Sequence, residues 1–98
     1  MARLSPAQIT RSLASAPGWT VRARTLHRRF EFGGFLDAID FVNRVAMKAE
    51  KADHHPDIDI RWNKVALALT THSEGGLTAK DFAMARQCAE LFTRYFER

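Results

Sequence analysis

The chain has 98 residues, of which 46% are hydrophobic and 27% charged, and its formal net charge is +4. So short a chain cannot divide its apolar residues between two cores, and we expect one domain over residues 1–98. No apolar run approaches the ~20 residues that span a bilayer, and the first residues lack the apolar segment of a secretory signal. The single cysteine, Cys88, excludes an internal disulfide and fits a reducing compartment. We therefore expect a soluble, cytoplasmic protein.

The first third of the chain predicts a helix followed by two strands. Ser5-Pro6 is a typical helix start, because serine caps the end and proline fits the first turn, and Pro17-Gly18 ends the helix. Alternating apolar residues predict strands over Trp19–Val21 and Leu26–Phe32, but the alternation is imperfect and leaves their register open.

The strongest helical pattern covers Phe35–Ala52. It begins after Gly33-Gly34 and stops at His54-His55-Pro56, since proline disfavours helical geometry at the residue before it. Apolar residues at three- and four-residue spacing predict the face that packs on the core: Phe35, Leu36, Ile39, Phe41, Val42, Val45, Ala46 and Ala49.

Alternation predicts a second hairpin, with strands over residues 57–62 and 65–72 joined by a tight turn at Asn63-Lys64. After a turn at Gly75-Gly76, Thr78 to Asp81 resembles a capping box that starts the last helix. That helix carries one apolar stripe: Phe82, Ala85, Ala89, Phe92 and Phe96. The order helix, two strands, helix, two strands, helix predicts an α+β domain in which a four-stranded antiparallel sheet carries three helices on one face.

Three of the four histidines are expected to converge. His54 and His55 precede the first strand of the second hairpin and His72 ends the second strand, and these two ends of a hairpin lie side by side. Imidazole titrates near neutrality, so one ring can donate a proton while another accepts one. Asp53 is the carboxylate that we expect to orient a ring. A structural interpretation, in which these rings cap the helix or bond a turn, stays open.

Other chemistries find less support in the pattern. Adjacent histidines in an extended segment point apart, and no Glu or Cys lies at ligand spacing, so we expect no zinc site. Ser73 adjoins His72 without the glycines of a nucleophile elbow. A basic cluster could contact phosphates, but its alternation with apolar residues fits a solvated sheet face, and we do not expect nucleic acid binding. The cluster comprises Arg22, Arg24, His27, Arg28 and Arg29.

Two further residues have two interpretations each. Trp19 either stacks on a flat heterocycle or fills the core. Asp81 either supports the histidine site or serves as the helix cap described above.

Four segments together resemble the pterin-4a-carbinolamine dehydratase family. They are Ala49–Asp57, Asn63-Lys64-Val65, Leu69–His72 and Gly76–Asp81, which contain the motifs Glu-Lys-x-x-His-His-Pro, Thr-His and Gly-Leu-Thr-x-x-Asp. The resemblance extends from Trp19 to Phe92 and implies the fold outlined above, assembled into homodimers or homotetramers. Ser73 stands where many members carry an acidic residue, and Trp62 where tyrosine is common.

The resemblance implies dehydration of 4a-hydroxytetrahydrobiopterin to quinonoid dihydrobiopterin, which recycles the pterin after aromatic amino acid hydroxylation. An aromatic amino acid hydroxylase is then the expected companion enzyme, and no cofactor or metal is required. The family's catalytic histidines match His54, His55 and His72, and Asp81 and Trp19 match positions near the site. Its pterin contacts match Asp53, His54, His55, Thr70, Thr71, His72 and Ser73.

An alternative function comes from a different class. Some members of the family act as partners that stabilise another protein's oligomer, as transcriptional coactivators do in animals. The intact histidine motifs favour the enzyme, because a pure scaffold has no physical need for three clustered imidazoles.

Overall fold

A computed structural model describes residues 2–97, which form three helices, four strands and one 3₁₀ turn. In chain order these are α1 (Pro6–Ala14), β1 (Thr20–Arg22), β2 (Thr25–Glu31), α2 (Phe35–Ala52), β3 (Asp57–Arg61), β4 (Lys64–Leu69), the 3₁₀ turn (His72–Glu74) and α3 (Ala79–Tyr95). The α+β class and the element order predicted from the sequence are confirmed. Among the described residues, no helix is both long and apolar enough to cross a membrane.

The sheet is antiparallel and has the order β1-β2-β4-β3. Each hairpin therefore lies on one side, and β2 and β4 meet in the middle. The register pairs Val21 with Leu26, Leu26 with Leu69, and Ile58 with Leu67. It places the large apolar residues of the strands on the face that carries the helices, while Ala66 and Ala68 lie on the opposite face.

The imperfect alternation in β2 comes from Arg28. Pairing with Leu67 puts Arg28 on the helix-facing side, where its guanidinium carbon lies 4.3 Å from the centre of the Phe30 ring. Its burial lowers the pKa of the Arg28 guanidinium from the ordinary value. A cation that packs its stem and charge against an aromatic ring can occupy an otherwise apolar position.

The second hairpin turns one residue earlier than the sequence predicted, at Trp62-Asn63 instead of Asn63-Lys64. Trp62 therefore leaves the strand, adopts a positive φ of 50° and is 66% exposed. Asn63 explains the shift, because it is buried and fixed to Phe32: the Asn63 Nδ2 donates to the Phe32 carbonyl at 2.9 Å, and the Phe32 amide donates back to the Asn63 carbonyl at 2.9 Å.

Helix α2 buries a narrower face than the sequence predicted. Phe35 is 49% exposed, Leu36 is 80% exposed, and Ala46 also faces solvent. The residues that are fully buried are Ala38, Phe41, Val45 and Ala49, and the partly buried Val42 packs against the core beside them. Above them an aromatic cluster joins the sheet to α2 and α3, with ring centres 4.8 to 6.3 Å apart. Its members are Phe30, Phe32, Phe41, Phe92 and Phe96.

Candidate active site

The end of α2 fixes the backbone of the first histidine. Asp53 adopts the left-handed conformation, with φ 50° and ψ 45°, and its amide donates to the Glu50 carbonyl. The next amide, that of His54, donates back to the Ala49 carbonyl at 3.1 Å. These two bonds form a Schellman motif, in which Asp53 takes the position that glycine usually holds. The chain direction therefore reverses at His54.

The His54 ring is held by a buried carboxylate from another helix. Its Nε2 lies 2.6 Å from Oδ1 of Asp81, at the start of α3. The Asp81 side chain has no exposed surface, and that of His54 is 11% exposed. We assign the hydrogen between them to His54 Nε2, because an ionised carboxylate can only accept. The other ring nitrogen, Nδ1, makes no hydrogen bond within residues 2–97 and is the atom available for proton exchange.

Asp81 has a second function through its other oxygen. Oδ2 accepts from the Thr78 amide at 2.9 Å, which completes the capping box predicted for α3, and from the Thr71 hydroxyl at 2.8 Å. The Thr71 and Thr78 hydroxyl oxygens lie 2.9 Å apart. Because Thr71 directly precedes His72, one buried carboxylate connects the Thr71 side chain, next to His72 in the chain, with the ring of His54.

The His55 ring contacts a different carboxylate, that of Glu50 in the last turn of α2. Both side chains are largely exposed, in contrast to the His54–Asp81 pair. As in that pair, the carboxylate meets Nε2 and leaves Nδ1 without a partner within the described residues. From the sequence alone Glu50 is expected on a solvated face of α2; the spacing Glu-Lys-x-x-His-His places it one helical turn before the chain reversal, but its contact with the His55 ring was not predicted.

His72 begins the 3₁₀ turn that follows β4, and its side chain is exposed. Within residues 2–97 the His72 ring makes no hydrogen bond, so it is free to meet a ligand. The loop that carries it is closed by a bridge in which the Thr71 amide donates to the Gly76 carbonyl at 3.1 Å. On the preceding residue, the Thr70 hydroxyl donates to the Arg24 carbonyl at 2.9 Å. Ser73 is exposed and adjoins His72.

Two sequence expectations change with the structure. Asp53 was expected to orient a histidine ring, but it is the left-handed end of α2, and the carboxylates at the rings are Asp81 and Glu50. Trp19 is 5% exposed and packs edge-on against Phe30, with ring centres 6.0 Å apart, so it has too little free surface to stack on a ligand. No cluster of His, Cys, Asp or Glu within residues 2–97 is arranged to hold a metal ion.

The arrangement supplies two imidazoles whose Nε2 atoms are fixed by carboxylates, and a third exposed imidazole on the adjoining loop. Fixed rings with a free Nδ1 can pass protons to and from a bound molecule without a metal or redox group. Comparison with known proteins identifies the family. The family model described as "Pterin 4 alpha carbinolamine dehydratase" matches residues 2–91.

The chain belongs to the pterin-4a-carbinolamine dehydratase family.

Relatives and solved structures support this assignment, and the resemblance inferred from the sequence motifs is confirmed. A Mycobacteroides abscessus protein named "Putative pterin-4-alpha-carbinolamine dehydratase" is 55% identical, with 87% of this chain and 90% of the relative covered. A Chloroflexus aurantiacus protein of the same name is 53% identical over 93% of this chain and 98% of the relative.

Two solved structures have the dehydratase fold. A Brucella melitensis protein described as a transcriptional coactivator/pterin dehydratase superimposes with a TM-score of 0.88 at 35% identity, covering 91% of this chain and 97% of its own. A pterin dehydratase-like protein described as a RuBisCO assembly factor in the alpha-carboxysome reaches a TM-score of 0.63 at 23% identity, covering 74% and 84%. The second match shows the fold alone.

Proposed function

We propose that this protein dehydrates 4a-hydroxytetrahydropterins, with 4a-hydroxytetrahydrobiopterin as the substrate and quinonoid dihydrobiopterin as the product. The observation that carries the proposal is the 2.6 Å contact between His54 Nε2 and the buried Asp81 carboxylate, beside the loop of His72. Membership of the dehydratase family supports the same reaction.

The reaction needs one acid and one base. The C4a–O bond breaks as the N5 lone pair forms the N5=C4a double bond, and the hydroxyl leaves as water after receiving a proton. N5 then gives up its own hydrogen to a base. No electrons are exchanged with another molecule, so the atoms balance with two proton transfers and one water released. General acid–base catalysis of this kind contributes about 10²–10⁴-fold to a rate.

We assign the proton transfers to His54 and His72 and the positioning of the pterin to His55. The free Nδ1 of His54 and the exposed His72 ring suit proton exchange with a bound molecule. His55 is more exposed, with its ring held by Glu50, which suits contact with one edge of the heterocycle. The pterin's polar edge would bond to backbone groups of Thr70–Ser73, while the Thr70 and Thr71 hydroxyls hold the scaffold.

The test is the dehydration rate of freshly generated 4a-hydroxytetrahydropterin with purified protein, compared with buffer. We expect His54→Ala and His72→Ala to lower kcat by about 10²-fold or more. The matched control is His27→Ala, because His27 pairs with Ala68 and Thr20 on the sheet face opposite the helices. Wild-type rates in both site variants, with all proteins folded, would reject the assignment.

The wider setting follows from the chemistry. A hydroxylase that oxidises its pterin at C4a, as aromatic amino acid hydroxylases do, would supply the substrate, and the product would return to the tetrahydropterin pool. The buried free thiol of Cys88 suits a reducing cytoplasm. Exposed apolar side chains on α2 at Phe35, Leu36 and Met47 support a homodimer or homotetramer, which light scattering of the purified protein would test.

A second candidate function is protein binding. It is favoured by the same exposed apolar face of α2 and by the coactivator description of the Brucella melitensis relative. If the purified protein binds no pterin and does not accelerate the dehydration, but Leu36→Glu abolishes an interaction with another protein, the binding function replaces the enzymatic one.

A further inference from the structure

An open cavity of about 240 Å³ lies between the N-terminal segment, the β1–β2 turn and the chain that enters α3. Its apolar walls are formed by Leu4, Pro6, Ile9 and Leu77. None of the three candidate catalytic histidines lines it. The volume corresponds to about eight water molecules at ~30 Å³ each, which is enough for a single ring or a short alkyl chain with a polar head.

Two arginines, Arg3 and Arg24, complete the lining of this otherwise apolar cavity. Within residues 2–97 neither guanidinium forms an ion pair with a carboxylate. Arg3 Nη1 donates to the Gly75 carbonyl at 3.4 Å, which uses one of the five guanidinium donors. Two positive charges beside apolar walls match a ligand that is anionic at one end and apolar at the other.

Specific contacts fix where Arg24 lies. Ala23 and Arg24 form the β1–β2 turn with φ of 52° and 60°, a conformation for which Asn-Gly is the usual sequence. The Thr70 hydroxyl donates to the Arg24 carbonyl at 2.9 Å and ties the turn to the end of β4. The backbone from which the Arg24 side chain extends is therefore held in place.

Arg3 is located by the chain that enters α3. The amide of the next residue, Leu4, donates to the Leu77 carbonyl at 2.8 Å. Arg3 also packs on Gly76, where an added Cβ would lie 2.6 Å from Arg3 Cδ. A side chain at position 76 would displace Arg3 from this position against the cavity wall.

We propose that this cavity binds a small organic carboxylate, whose charge is held by Arg3 and Arg24 and whose apolar body lies against Leu4, Ile9 and Leu77. Arginine is suited to this function because its planar donors match the two oxygens of a carboxylate. The site is separate from the proposed dehydratase chemistry, and its test uses binding, so either can fail without the other.

The experiment is an NMR titration of the ¹⁵N-labelled full chain with phenylacetate and hexanoate, as aromatic and aliphatic probes. We expect saturable shifts at the amides of Leu4, Ile9, Gly76 and Leu77. The neutral isostere phenylacetamide should bind about tenfold more weakly or not at all, since a hydrogen bond to a charged group outweighs a neutral one.

Two variants and a control test the arginines. Arg24→Asn removes the charge while asparagine tolerates the left-handed turn, and Arg3→Gln removes the other charge; each should weaken phenylacetate binding about tenfold. Arg11→Gln is the control, because Arg11 is exposed on α1 and does not line the cavity. Absence of saturable shifts with both acids, equal binding of the amide, or unchanged binding in both variants would overturn the proposal.

Discussion

Asp81 both caps α3 and orients the His54 ring. These two roles can be separated by comparing an isosteric substitution with a truncation. In Asp81→Asn, the amide oxygen can keep the bonds from the Thr78 amide and the Thr71 hydroxyl. The amide nitrogen then faces His54 Nε2 and is a donor, so the ring must carry its hydrogen on Nδ1 instead. Asp81→Ala removes all three acceptor contacts.

The expected magnitudes follow from these bonds. In Asp81→Ala the buried Thr78 amide loses its acceptor, which should lower the free energy of unfolding by about 1–3 kcal/mol. The Thr71 hydroxyl can still donate to Thr78 Oγ1, which lies 2.9 Å away. With the lost His54 bond, we expect a total of ~2–4 kcal/mol, a large part of a typical domain stability of about 5–15 kcal/mol. Asp81→Asn should cost only ~1 kcal/mol, or about 4–8 °C in Tm.

Asp81→Asn should lower the activity far more than it lowers the stability, because this variant remains folded but holds the His54 ring in the wrong tautomer. We expect its kcat to fall about 10²–10⁴-fold, which is the usual contribution of general acid–base catalysis; a comparable tautomer change in a serine protease lowers kcat about 10⁴-fold. Thermal unfolding by circular dichroism, ¹⁵N NMR of the His54 ring and the dehydration rate are the three assays. Asp59→Asn is the control, since Asp59 is exposed and its carboxylate accepts from Arg61, which is not part of the site. A ring hydrogen that stays on Nε2, or a kcat within about twofold of wild type, would refute this reasoning.

Three further predictions concern single side chains. Glu50→Gln should raise KM with little change in kcat or Tm, because Glu50 is an exposed partner of the positioning ring of His55; steady-state kinetics showing a fall in kcat alone would contradict this. Burial raises the pKa of the Cys88 thiol to about 12 from 9.0, so as the pH rises the unfolded chain loses this proton before the folded protein does. The free energy of unfolding should therefore fall as the pH rises from 9.0 to about 12, more steeply than in Cys88→Ala, and urea unfolding across this pH range checks it. Trp62→Gly should raise the free energy of unfolding by up to about 1 kcal/mol, because glycine adopts positive φ without the ~1–2 kcal/mol cost to other residues; a lower Tm would argue against strain at the turn.

The local signals in the sequence predicted most of the fold. Ser5 and Thr78 cap their helices as expected, and α2 ends before Pro56, because caps and proline act through neighbouring residues. The convergence of the segments that carry the histidines also followed from hairpin geometry. The turn at Trp62 was missed because it depends on a bond between Asn63 and Phe32, which are distant in the chain.

The carboxylates that contact the histidine rings could not be predicted from the sequence. The capping function of Asp81 was predictable from the Thr-x-x-Asp spacing, but its contact with His54 depends on how α3 meets the end of α2. Asp53 was preferred because it is adjacent to His54, yet it forms the left-handed end of α2, and the His54 ring bonds to Asp81 instead. The buried face of α2 was overestimated because Phe35 and Leu36 are apolar and exposed, and hydrophobicity alone cannot tell a core contact from a free surface.

The β2–β4 junction has a consequence for folding kinetics. Each hairpin is closed by a tight turn and can form within microseconds, whereas the junction pairs Leu26 with Leu69 across the whole length of α2. Such distant pairing requires the costly closure of a long loop, so joining the two hairpins is the expected slow step. The site draws on α2, the end of β4 and the start of α3, and it is therefore complete only after that step. A newly synthesised chain should gain binding competence in one late event, together with the closing of its sheet.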